Sequence, residues 1–130
     1  MTKKEAVENH RKQWNWMAKE CLKQKRVIDE SEYFKESEDN SILLDCYCCD
    51  YDDNISKTHN RNDYKNENYC TFCPIKWKED CTDCTMPTFA KYYNRNVTYE
   101  EAARIAQEIA NLPEREDFDF EKEERIQEIQ

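Results

Sequence analysis

The chain has 130 residues, of which 38% are hydrophobic and 38% charged, enough for one domain with a modest apolar core and little stability to spare once ordering entropy is counted. It contains no glycine. That excludes Walker loops and dinucleotide fingerprints, which need glycine where backbone meets phosphate, and it leaves Asn and Asp to supply left-handed turns. The net charge of −9 argues against nonspecific nucleic-acid binding, which needs a basic surface.

No run matches a signal peptide or a membrane span, since Ile42-Leu43-Leu44 is far too short for either. The expected setting is therefore cytoplasmic, with no membrane partner. In a reducing compartment, cysteines at paired spacing point to metal rather than disulfide. The triplets Asn54-Ile55-Ser56 and Asn96-Val97-Thr98 are then chance matches to a glycosylation signal.

In chain order, the first expected element is a long helix over 3–25. Thr2 and Glu5 have capping-box spacing. Val7, His10, Trp14, Met17 and Cys21 recur at steps of three and four, which sets them on one helical stripe. Trp16 lies about 200° around the helix from Trp14, so either another segment covers it or it is an exposed contact for a partner.

Residues 29–40 are acidic around Tyr33 and Phe34 and predict a short helical turn or docked loop. Ile42 to Leu44 read as a short strand leading to Cys46. From Asp50 to Tyr69 the chain is polar and Asn-rich, a loop whose ends must be pinned, with cysteines on both sides. A second helix is predicted over 98–112, with Thr98 and Glu101 as its cap and Ala102, Ile105, Ala106, Ile109 and Leu112 on its apolar face. Pro113 stops it. Residues 114–130 are acidic but keep Phe118, Phe120, Ile126 and Ile129, which reads as a disordered tail or as a segment that folds onto a partner.

Six of the eight cysteines form three CxxC pairs, Cys46/Cys49, Cys70/Cys73 and Cys81/Cys84. Two residues between ligands let both thiolates face one side of a tight turn, and two such knuckles complete a tetrahedron around zinc. The interval from Cys49 to Cys70 is normal for such a site, so Cys46, Cys49, Cys70 and Cys73 are the expected zinc ligands. Cys81 and Cys84 are either packed thiols, alternative ligands with Cys70 and Cys73, or part of a second metal site with Cys48 or His59. Cys21 lies on the apolar stripe and reads as a small hydrophobe. The expected architecture is mainly α, with a small irregular or β zinc-knuckle region over 42–85 and the two long helices packed around a four-cysteine zinc site. Residues 1–113 then make a single zinc-stabilised domain.

Taken in order, HRKQWNWMAKE (10–20), Tyr33-Phe34, CYCCDY (46–51), CTFCPIKW (70–77) and AARIAQEIANLPER (102–115) resemble a family of small cysteine-rich, zinc-finger-like proteins encoded by phages and prophages of low-GC Gram-positive bacteria. The resemblance implies the same four zinc ligands, a viral accessory gene and a bacterial cytoplasm. Cys84 and the acidic stretch after Arg115 depart from the pattern.

Chemistry that the residues disfavour is quickly stated. A four-thiolate zinc has no open position for hydrolysis. A thiol-disulfide catalyst would place one CxxC in a strand-helix sheet, and neither His10 nor His59 sits where it could activate a cysteine. The leading expectation is a non-enzymatic binder of a host or viral protein, such as an inhibitor of a bacterial defence or regulatory system. Its candidate contacts are Trp16, the acidic run from Asp29 to Asp53, and Phe118 with Phe120. The alternative is a nucleic-acid-binding zinc module, in which bases such as Lys57, Lys76 and Arg95 interleave with Tyr64, Trp77 and Tyr92.

Overall fold

The structure is a computed structural model that describes residues 1–42, 46–56, 72–77, 92 and 96–129. Five helices lie among the described residues, named here α1 (Lys3–Gln24), α2 (Glu30–Ser37), α3 (Tyr47–Ser56), α4 (Tyr99–Ala110) and α5 (Phe120–Ile129).

Helix α1 starts where the capping box predicts. The Glu5 amide donates to Thr2 Oγ1 at 3.2 Å, and the Thr2 amide donates to Glu5 Oε1 at 3.0 Å. The predicted stripe of Val7, His10, Trp14, Met17 and Cys21 is buried, and Ala6, Gln13 and Ala18 widen it. Helix α4 is capped by Thr98, whose Oγ1 accepts from the Glu101 amide at 3.1 Å. Its buried face carries four alanines, Ala102, Ala103, Ala106 and Ala110, around Ile105 and Ile109. Small side chains let α4 lie close against α1, and this pair forms the main helix-helix interface among the described residues.

With no glycine in the chain, the left-handed positions among the described residues fall to Lys25 (φ 55°) and Glu38 (φ 57°), at the ends of α1 and α2. Asn and Asp, the expected substitutes, do not hold them. A helix C-terminus accepts a long exposed side chain there at a cost of about 1 kcal/mol, because the left-handed turn still satisfies the last carbonyls.

Helix α2 resolves the open reading of residues 29–40. Asp29 and Glu32 form a reciprocal cap, with Ser31 N–H to Asp29 Oδ1 at 3.1 Å and Asp29 N–H to Glu32 Oε2 at 2.7 Å. Glu32 also pairs with Arg26. This short helix carries an aromatic ladder: Trp16 meets Tyr33 at 5.5 Å, Tyr33 meets Phe34 at 5.4 Å, and Phe34 meets Tyr47 at 5.3 Å. The first two contacts are edge-to-face and the third is tilted, and aromatic pairs of this kind are favourable beyond the area they bury. Trp16 is therefore covered, by α2.

Two expectations are corrected. The polar stretch from Asp50 begins as helix: Tyr51 and Ile55, four apart, are buried on one face of α3. The segment after Pro113 is part of the folded body. Ile75 and Glu114 form an antiparallel bridge, with the Lys76 amide donating to Pro113 O and the Arg115 amide to Pro74 O, each at 2.8 Å. Phe120 is 3% exposed and packs with Ala6, Tyr51, Ile55 and Phe72 in a second small core, with Phe118 against it. A domain boundary at 113 would cut through this core. The bridge is also the whole β content among the described residues. Of the expected strand, Leu43 and Leu44 lie outside them.

Candidate metal centre

Cys46 immediately precedes α3, and its carbonyl accepts the first helical bond, from the Asp50 amide at 3.0 Å. Its sulfur accepts from the Cys49 amide at 3.3 Å. Sulfur thus occupies the role that a Ser, Thr or Asp oxygen plays at an ordinary helix start, and it faces the positive end of the helix dipole. The first CxxC pair belongs to a helix N-terminus rather than to an irregular knuckle.

The second sulfur position is Cys73, in the segment 72–77. This segment is held from three sides. The Phe72 amide donates to Oδ1 of buried Asp52 on α3 at 2.9 Å. The bridge to Glu114 fixes Pro74 to Lys76. The Arg115 guanidinium donates to Cys73 O at 3.1 Å.

Cys73 and Cys48 are both buried and in contact, in the core that α1 and α4 share. A hydrogen bond from the Cys48 thiol lowers the pKa of Cys73, and the Ile75 amide and Trp77 indole N–H lower it further, against the opposing effect of burial. Burial pushes the Cys48 thiol well up, and its bond to Cys73 and the nearby Cys46 and Asp52 add to that. Of this pair Cys73 is the stronger acid and Cys48 holds its proton more tightly. Cys21, Cys46, Cys48 and Cys73 are thiols rather than disulfides.

Behind Trp77 lies His10. The two rings meet edge-on at 6.2 Å. His10 Nε2–H donates to Ile109 O on α4 at 3.1 Å, which fixes the tautomer, since a carbonyl only accepts. Burial depresses the His10 pKa to about 4, outweighing the bond to Ile109. Among the described residues, His10 Nδ1 and Gln13 Oε1 have no hydrogen-bond partner. His10 is thus a core residue, as is Cys21, whose sulfur meets the Tyr92 hydroxyl at 3.5 Å while that hydroxyl donates to Ile28 O at 2.6 Å.

Of the ligands expected for zinc, the structure brings Cys46 and Cys49 to the start of α3 and Cys73 beside Cys48 on the same helix. Cys70, Cys81, Cys84 and His59 lie outside the described residues. Among the described residues, no three His, Cys, Asp or Glu side chains converge on one metal position. No described helix is long and apolar enough to cross a membrane.

No family model matches the chain, and neither a curated protein nor a solved structure matches it.

Three contributors to the site escaped the reading of the sequence. Asp52 looked like one acid in an acidic run, Arg115 like the start of a tail, and Trp77 like a stacking aromatic. Trp77 alone had a local signal, since it stands four residues after Cys73 in CPIKW, within reach of that sulfur. The expected contacts Trp16 and Phe120 are packed instead against Tyr33 and Tyr51, the latter with rings 6.0 Å apart. Phe118 is half-buried against Phe72 at 5.2 Å.

Proposed function

We propose that this chain is a zinc-stabilised helical module that acts by binding another protein, with Cys46, Cys49, Cys70 and Cys73 as zinc ligands. One observation carries the reading. The sulfurs of Cys46 and Cys73 each receive N–H donors, from Cys49 in the first case and from Ile75 and Trp77 in the second. A donor aimed at sulfur favours the anion, and cysteine binds metal as the anion. Cys48 then supports the site through its contact with Cys73.

Bound zinc would supply a closed, tetrahedral link between the start of α3 and the segment 72–77, which suits structure rather than catalysis. A chain that is 38% charged gains from such a link, because its apolar core is small. The phage-type pattern in the sequence makes a host or viral protein the expected partner. The test is elemental analysis of the native, reduced protein. One zinc per chain is expected, lost in Cys46→Ser and in Cys73→Ser and kept in Cys21→Ser. A metal-free yet stably folded protein overturns the zinc site. Capture from a bacterial lysate with nothing stoichiometric above background counts against the binding role.

A further inference from the structure

We propose that Arg115 is the positioning residue of the zinc site, setting the backbone of the Cys73 ligand from outside the coordination shell; this rests on the zinc reading above. Arg115 touches the ligand segment twice. Its backbone amide donates to Pro74 O at 2.8 Å, and its guanidinium Nη1 donates to Cys73 O at 3.1 Å. Two consecutive carbonyls are thereby held by one residue. They fix the peptide planes on either side of Pro74, and so the direction in which the Ile75 amide points at the Cys73 sulfur.

The arginine is itself held. Asp117 accepts from Nε at 3.0 Å, the guanidinium carbon lies 5.8 Å from the centre of the Phe120 ring, and the Arg115 carbonyl accepts from Lys3 Nζ at 2.6 Å. Its side chain is 21% exposed, so the orientation is imposed by packing on both sides. A zinc ion with four thiolates carries net negative charge, and a largely buried guanidinium on the ligand's own carbonyl offsets it. Groups that orient a ligand in this way typically change metal affinity when removed, even though they never touch the metal. Arg suits the task better than Lys, because its planar fork reaches the carbonyl and Asp117 together.

The experiment is chelator competition for zinc on the full chain, comparing the unaltered protein with Arg115→Met and Arg115→Lys, alongside the helical signal of each metal-free form. Arg115→Met keeps the stem beside Phe120 and the backbone bridge but removes the donors. It is expected to weaken zinc on the order of 10–100-fold, with Arg115→Lys in between and the metal-free helical signal unchanged. Unaltered affinity in Arg115→Met overturns the role of Arg115 and leaves the zinc site standing. Absence of zinc from the unaltered protein overturns the site itself. Should Arg115→Met fail to fold, Arg115→Lys carries the test, and full affinity there overturns the role.

Discussion

Asp52 accepts the Phe72 amide at 2.9 Å, a bond that helps tie α3 to the segment that carries Cys73. Both residues are buried, so water cannot replace the carboxylate if it is removed. Asp52→Ala leaves a buried amide unsatisfied, and the expected loss is roughly 2 kcal/mol. Asp52→Asn keeps an acceptor oxygen and should lose less. Urea denaturation of the three proteins orders them, and equal midpoints for Asp52→Ala and the unaltered chain would contradict the role.

His10 sets a pH dependence. Its pKa falls from 6.5 to about 4 on folding, chiefly through burial. The unfolded chain binds the proton more readily, so the stability tied to neutral His10 is complete above pH 6.5. It is lost as pH falls from about 6.5 towards 4, by up to roughly 3 kcal/mol. Among the described residues the charge that acts on it is Arg11 on the same helix, while the facing groups from α4 and the segment 72–77 are a carbonyl and an indole ring. Stability measured against pH should fall through this window in the unaltered protein. In His10→Gln that contribution should be missing, and an identical slope in both proteins would show that His10 is not its source.

The segment after Pro113 tests the second core. Phe120 is buried against Tyr51 and Phe118, with ring centres 6.0 and 4.9 Å away. Glu124 joins in, accepting the Lys3 amide at 2.6 Å and the Tyr51 hydroxyl at 3.0 Å. Its charge lies at the N-terminus of α1, where the helix dipole favours an anion. Phe120→Ala is expected to destabilise the protein by about 3 kcal/mol, and Phe118→Ala, half-buried, by less. Removal of residues 116–130 should cost more than either. Thermal unfolding decides it: a truncated chain with unchanged midpoint would mean that α5 adds nothing to the fold.

This segment also marks where the sequence stops being legible. Helices α1 and α4 could be read directly, because caps at Thr2 and Thr98 and long stripes of apolar residues are local signals. Helices α3 and α5 could not. Each offers few apolar residues among acids, and Tyr51, Ile55 and Phe120 become core only by meeting one another across the chain. The same limit applies at the cysteines. CxxC spacing picks out Cys49, but it carries no sign that Cys48 lies against Cys73. That contact follows from the helical twist after Cys46, which turns the consecutive residues Cys48 and Cys49 to different faces.

Trp77 gives the sharpest separation of fold from metal. Its indole N–H reaches the Cys73 sulfur, while its ring packs on His10 and against the main core. Trp77→Phe keeps an aromatic ring in the core but deletes the donor. Folding stability of the metal-free protein should drop only modestly, by about 1 kcal/mol for the lost area. Zinc affinity should fall on the order of tenfold, as for other groups that support a ligand without touching the metal. Chelator competition and metal-free urea denaturation on the same samples give the two numbers. If affinity and stability fall together by the same free energy, Trp77 serves packing alone. If affinity falls well beyond stability, the indole N–H acts on the thiolate of Cys73, because only a hydrogen bond to sulfur distinguishes the metal-bound anion from the protonated thiol of the metal-free chain.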